Sequence, residues 1–138
     1  MGDEAVRIVR MASRHSERGR PQRAPTGVRH LGVHARGTLL DALNDFARVD
    51  VERGVEVVAE DQSVDREYES LTRELITFMM EDTRAIPHAR DVFFSARALE
   101  RIGDRSCNIC AYLIDCDHGK DVRHVGLDSV MRQALVNY

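Results

Sequence analysis

The chain contains no tryptophan, and its aromatic share is only 5%. No apolar run approaches the roughly 20 residues that a bilayer-spanning helix needs, so no membrane insertion is expected. The first residues have no apolar signal-peptide core, which points to the cytoplasm. The three cysteines, an odd number, fit reduced thiols better than a disulfide framework. Lysine is almost absent: Lys120 is the single lysine among 20 basic residues. No long stretch alternates with period two, which leaves little room for strands. No glycine-rich phosphate loop, nucleophile elbow or catalytic Ser-His-Asp order is visible, and no enzyme is expected.

What is present is a chain of 138 residues, 43% hydrophobic and 31% charged, enough for one domain with a core. The net charge of −3 hides an asymmetry. Residues 1–36 carry eight arginines against Asp3, Glu4 and Glu17, whereas the remainder carries 12 basic and 20 acidic residues. A basic end of this kind suits nucleic acid or anionic lipid, but a solvated arginine-rich surface and linker is the simpler reading. No nucleic-acid partner is expected.

Proline and glycine divide the chain. Residues 18–27 hold Pro21, Pro25, Gly19 and Gly27 and read as a linker. Before it, residues 3–16 fit a helix with Ala5, Ile8, Val9 and Ala12 on one side. This helix has no partner of its own ahead of the linker, which suggests a homodimer or higher oligomer, with the helix packed on a second copy. After the linker come three helices. The first, from about 28 to 48, has Val28, Leu31, Ala35, Leu39, Ala42, Phe46 and Val49 in steps of three and four, with Thr26 as a candidate cap. The second starts at Asp50, a good N-cap, and runs to about 81. The third runs from Pro87, suited to a first helical turn, to about 118, where Gly119 marks a stop. Helices two and three are each roughly 45 Å long at 1.5 Å per residue. Short connections make neighbours antiparallel. The predicted fold is all-α: an antiparallel up-down-up three-helix bundle over 28–118, an extra N-terminal helix within 1–17, and a tail over 119–138.

One seam of helix two is anomalous. It runs Val58, Asp61, Asp65, Tyr68, Thr72, Leu75, Met79, apolar at both ends with two aspartates in the middle. A buried carboxylate costs several kcal/mol unless it is paired. Helix three offers a second i,i+4 acid pair, Glu100 and Asp104, one turn apart on one face. Antiparallel packing about the 82–87 turn brings residue 65 near 104 and residue 61 near 108. Asp61, Asp65, Glu100 and Asp104 are therefore candidate metal ligands, with Asn108 as a further oxygen. All-oxygen ligation suits Mg²⁺, Ca²⁺, Mn²⁺ or ferric iron. The competing reading places these acids on solvated faces, in weak surface pairs with Arg66, Arg97, Arg101 or Arg105. Glu-x-x-His, the pattern of diiron enzymes, is absent, which argues against the alternative of a carboxylate-bridged metalloenzyme.

Other motifs read as structural. Cys107-x-x-Cys110, with Cys116 and His118 beyond, superficially resembles a zinc cluster, yet Cys107 and Cys110 fall inside a predicted helix and read as buried small hydrophobes. His30 and His34 have i,i+4 spacing without the glutamate of His-Glu-x-x-His.

The stretch Ser95-Ala-Arg-Ala-Leu-Glu-Arg-Ile-Gly-Asp-Arg-Ser-Cys-Asn-Ile-Cys110 resembles the helix-three signature of PhoU proteins. Asp61-Gln-Ser-Val-Asp65-Arg-Glu-Tyr-Glu69 looks like its partner motif, Met79-Met-Glu-Asp-Thr-Arg-Ala-Ile-Pro87 like the family's turn, and Gly119-Lys-Asp-Val-Arg-His-Val-Gly126 like its C-terminal tail. The family resembles two tandem three-helix bundles. Gly2-Asp3-Glu4-Ala-Val-Arg-Ile8 echoes Gly103-Asp104-Arg-Ser-Cys-Asn-Ile109, so residues 1–17 look like a remnant of a first repeat. The resemblance implies a regulatory adaptor, a negative regulator of phosphate uptake and of the phosphate-starvation response. It implies two partners, the ATPase subunit of a phosphate ABC transporter and a phosphate-sensing histidine kinase, and through them at most a peripheral place at the inner membrane. It also implies iron or another metal on Asp61, Asp65, Glu100 and Asp104. The equivalent first-repeat site is not carried over, because only Asp3 of it remains.

Overall fold

A computed structural model describes residues 1–17 and 27–118, with side chains to Cys116. Its elements are helices α1 (Gly2–Glu17), α2 (Gly27–Arg48), α3 (Val51–Glu81) and α4 (Ile86–His118), with one 3₁₀ turn at Thr83–Ala85. Linker residues 18–26 (with the Thr26 cap), the Gly119 stop and the tail lie outside the described residues, and Gly27, expected in the linker, opens α2.

The helix ends follow from local chemistry. The Asp50 carboxylate accepts a hydrogen bond from the Arg53 backbone N–H at 3.2 Å and opens α3 as an N-cap. Asp82 closes the same helix and accepts from the Arg84 N–H at 2.9 Å, starting the 3₁₀ turn. Pro87 sits in the first turn of α4, where its missing N–H costs nothing. The α2 end is less comfortable. The Asp50 N–H reaches back to the Asp45 carbonyl at 2.9 Å, a Schellman closure, and Val49 takes the left-handed position at φ 58°. Glycine normally fills that position, because a β-branched side chain is strained there.

Packing is antiparallel between neighbours. Gly54 faces Leu113, and Gly103 faces Val64, so α3 and α4 run in opposite directions. Gly27 faces Leu71, and His34 meets Glu67, so α2 and α3 do the same. The result is the expected up-down-up bundle. Helix α4 is central, since α1, α2 and α3 all pack on it. Two buried clusters form the core. One, nearer the α3–α4 turn, joins Leu31, Val64, Leu71, Leu75, Ala89, Val92 and Ala96. The other joins Ala42, Val57, Val58, Cys107 and Cys110.

Three faces differ from the sequence reading. On α1 the inward row is Met1, Glu4, Ile8, Met11 and His15, whereas Ala5, Val9 and Ala12 are exposed. This helix, expected to pack on a second copy, lies instead along α4 of its own chain, with Glu4 against Arg101 and His15 against His88. On α2 the buried row is Leu31, Ala35, Thr38, Ala42 and Asp45, and Phe46 and Val49 face outward. Polar residues hold these inner places because they have partners. The Thr38 hydroxyl donates to the His34 carbonyl at 3.1 Å, and Asp45 pairs with Arg53 at 3.5 Å. On α3 the buried residues are Gly54, Val57, Val58, Val64, Leu71 and Leu75, so the expected seam keeps Val58 and Leu75 inside but leaves Asp65 at its exposed rim and not in its middle.

Candidate metal centre

The acids sit where the two core clusters meet, along the α3–α4 seam. Asp65 comes from α3, and Glu100 and Asp104 come from successive turns of α4. One carboxylate oxygen of each lies within 4.8 Å of the others. Glu100 is buried, and Asp65 and Asp104 are exposed, so the group forms a half-open cup with a buried floor. The helices approach closely beside it because residue 103 is glycine. A Cβ there would stand 3.3 Å from both Asp61 Oδ1 and Val64 Cγ1.

Asp61 lies one turn from Asp65, outside the converging trio but coupled to it. It touches the Cys107 thiol, and its Oδ1 is buried with no hydrogen-bond partner. Asn108 is exposed one turn beyond Asp104. Burial, reinforced by the neighbouring carboxylates, pushes Asp61, Glu100 and Asp104 above the ordinary carboxylate range. Burial likewise pushes up both core thiols, Cys110 to about 11, so these cysteines stay protonated and serve as packing groups.

The arginines around the site are not surplus. Arg97 Nη1 donates to Glu100 Oε1 at 2.7 Å, and its guanidinium carbon lies 5.7 Å from the centre of the Tyr68 ring. Arg101 is drawn to the other side of α4, where it meets Glu4 Oε1 at 3.3 Å. The remaining oxygen of Glu100, Oε2, is buried without a hydrogen-bond partner. An orphaned carboxylate oxygen next to two other carboxylates is the donor chemistry that a hard cation satisfies.

Sequence reasoning missed two features here. Glu4, only 3% exposed, anchors α1 to α4 through Arg101 and also pairs with Arg7 of its own helix. Glu67 accepts from both His30 Nδ1 (3.1 Å) and His34 Nδ1 (2.9 Å), tying α2 to α3. Burial alone would raise Glu67, but the two imidazoles outweigh it and hold the carboxyl below its ordinary value. The i,i+4 histidine spacing was the available signal for this clamp. Glu4 gave none, because its partner lies on another helix.

Fold and site together define a helical-bundle protein with a carboxylate cluster on the seam of two long helices. The PhoU domain model matches residues 28–113. The chain belongs to the PhoU family. It is 42% identical over 137 residues to the phosphate-specific transport system accessory protein PhoU homolog of Pseudomonas aeruginosa, covering 99% of this chain and 57% of that protein. Against PhoU of Escherichia coli K12 it is 42% identical over 131 residues, covering 94% of this chain and 54% of the relative. The crystal structure of PhoU from Pseudomonas aeruginosa superposes with a TM-score of 0.82 at 40% identity, covering 86% of this chain and 57% of that one. The chain therefore spans about half the length of the relatives it matches. No helix among the described residues is long and apolar enough to cross a membrane.

Proposed function

We propose that this chain is a non-catalytic regulatory adaptor in phosphate signalling, holding down phosphate uptake and the phosphate-starvation response. Its partners would be the ATPase subunit of a phosphate ABC transporter and a sensor histidine kinase, met in the cytoplasm. The relatives' description as transport accessory proteins supports this reading. The converging carboxylates of Asp65, Glu100 and Asp104 are the observation that carries the site. They would hold iron, manganese, magnesium or calcium, with Asp61 and Asn108 as adjoining oxygens. A bound cation supplies positive charge that cancels the repulsion between the acids. The chain's own residues supply the rigid floor, through buried Glu100 and the close approach at Gly103. The cluster contains carboxylates only, without the histidines of diiron enzymes, which favours a structural or sensing ion over oxidase chemistry.

The experiment is complementation. On this reading, a bacterium lacking its own family member should keep the phosphate-starvation promoter active in phosphate-rich medium. Expression of this chain should restore repression. A stable, well-expressed chain that leaves the promoter fully active would refute the adaptor reading. Self-association is part of the proposal, since Val6 and Val9 on the outer side of α1 are 49% and 64% exposed. Light scattering at tens of micromolar should give a dimer or larger, and a monomer would remove that element.

A further inference from the structure

The metal reading leaves one residue without a task. Arg97 stands at the mouth of the cluster and makes its shortest ion pair there, 2.7 Å from Glu100 Oε1. We propose that Arg97 is a built-in counter-cation of the cluster, which an incoming metal ion displaces from Glu100, so that site occupancy is converted into release of an arginine at the bundle surface. This inference rests on the metal reading of Asp65, Glu100 and Asp104.

Glu100 is the buried member of the trio, at 8% exposure. A buried carboxylate must be neutralised or paired, and Arg97 is the group that pairs with it. The same guanidinium also acts on Asp104, so it serves the cluster and not one acid alone. A metal ion and a guanidinium are both positive and compete for the same oxygen lone pairs. Glu100 Oε2, buried and unpartnered, gives an arriving ion its first foothold next to the oxygen that Arg97 occupies.

The displaced side chain has somewhere to go. Arg97 is 49% exposed, so it can leave without opening the core. While Arg97 is paired with Glu100, its guanidinium carbon already lies 5.7 Å from the centre of the Tyr68 ring, and that aromatic contact can persist once Glu100 is given up. Tyr68 stands on α3 one turn beyond Asp65, so Arg97 touches both helices that build the site. Empty, the seam would present a neutralised pair; loaded, it would present a free guanidinium. A partner surface rich in carboxylate or phosphate could read that difference.

Calorimetric titration of the whole chain with Mn²⁺ tests this, using the parent, Arg97→Met, Arg97→Lys and Glu100→Gln. Loss of one charge-assisted bond to the competitor should tighten Mn²⁺ binding by roughly tenfold in Arg97→Met. Arg97→Lys keeps the competing charge and should stay near the parent. Glu100→Gln should bind Mn²⁺ more weakly than the parent. Arg97→Gln serves as a second uncharged variant should Arg97→Met fail to give a helical circular-dichroism spectrum. Unchanged or weaker binding in the uncharged variants overturns the proposal, since Arg97 would then be a bystander or a group that orients Glu100. Mn²⁺ binding by the parent that Glu100→Gln does not weaken refutes Glu100 as the contested ligand. If neither the parent nor an uncharged variant takes up Mn²⁺, the metal reading itself falls, and this inference with it.

Discussion

Replacing Asp104 by asparagine should stabilise the metal-free protein and weaken its response to metal. The three carboxylates have oxygens within 4.8 Å of one another. At that separation, like charges repel by about 1 kcal/mol in water and by about 3.5 kcal/mol at an effective dielectric of 20. Asp65 and Asp104 are exposed, so the lower figure applies. Asparagine at 104 removes two such repulsions, about 2 kcal/mol, and gives up the attractions of Arg97, Arg101 and Arg105 that partly offset them. A net gain of about 0.5–1 kcal/mol remains, or about 2–5 °C in Tm. The pH dependence has a definite sign. Asp61, Glu100 and Asp104 are raised above their reference values of 3.8, 4.5 and 3.8. Below the reference values these groups are neutral folded or unfolded and cost nothing. As pH rises through their raised folded values the cluster takes on charge, and stability is lost. The asparagine variant should show a shallower loss over that window. With Mn²⁺ the order reverses, because a ligand at 100 times its Kd adds about 2.7 kcal/mol to the parent and less to a variant missing one donor. Thermal melts in chelator and in Mn²⁺ read both arms. An asparagine variant that is less stable in chelator, with an undiminished Mn²⁺ response, would refute the reasoning.

Glu67→Ala should cost about 1–2 kcal/mol by removing both imidazole hydrogen bonds between α2 and α3, measured by urea melts at neutral pH. Because Glu67 is held below its reference value of 4.5, its contribution is complete above that value and disappears as pH falls through the folded one, opposite in sign to the metal cluster. Val49→Gly should raise stability by about 1 kcal/mol in the same melts, since the left-handed position strains valine and the side chain is 65% exposed. Gly103→Ala should fail to deliver the roughly 1 kcal/mol that alanine normally gains inside a helix. The new methyl would press on Asp61 and Val64 at 3.3 Å, and melts against a control substitution at Gly37, where nothing lies within 4 Å, separate the two effects.

Much of the fold was legible because punctuation and period agreed. Asp50 and Pro87 mark element boundaries independently of hydrophobicity. The acid trio was legible because antiparallel counting about a short turn converts sequence separation into spatial register, which placed residue 65 opposite 104. Periodicity alone misread the inner faces of α1 and α2. It scores polar residues as outward, whereas Glu4, Thr38 and Asp45 point inward. Each is tolerated for a reason held partly elsewhere: Arg101 on α4 for Glu4, Arg53 on α3 for Asp45, and a backbone carbonyl one turn back for Thr38. Partnership across helices leaves no periodic trace in one strand of text.

That same partnership explains why the acid cluster is not simply neutralised by its arginine-rich surroundings. Arg97, Arg101 and Arg105 recur every four residues along α4, level with Glu100 and Asp104. Left to themselves, three guanidinium groups would balance three carboxylates and remove any call for a cation. Glu4 alters the count. Buried on α1, it takes Arg101 at 3.3 Å and holds it on the α1 side of α4. Arg97 is paired with Glu100, and Arg105 is exposed. Docking of α1 gives Arg101 an ion pair away from the trio, although Arg101, like Arg97 and Arg105, still attracts Asp104. Docking of α1 and affinity of the cup for a cation are thus linked through one arginine, and linkage of this kind acts in both directions.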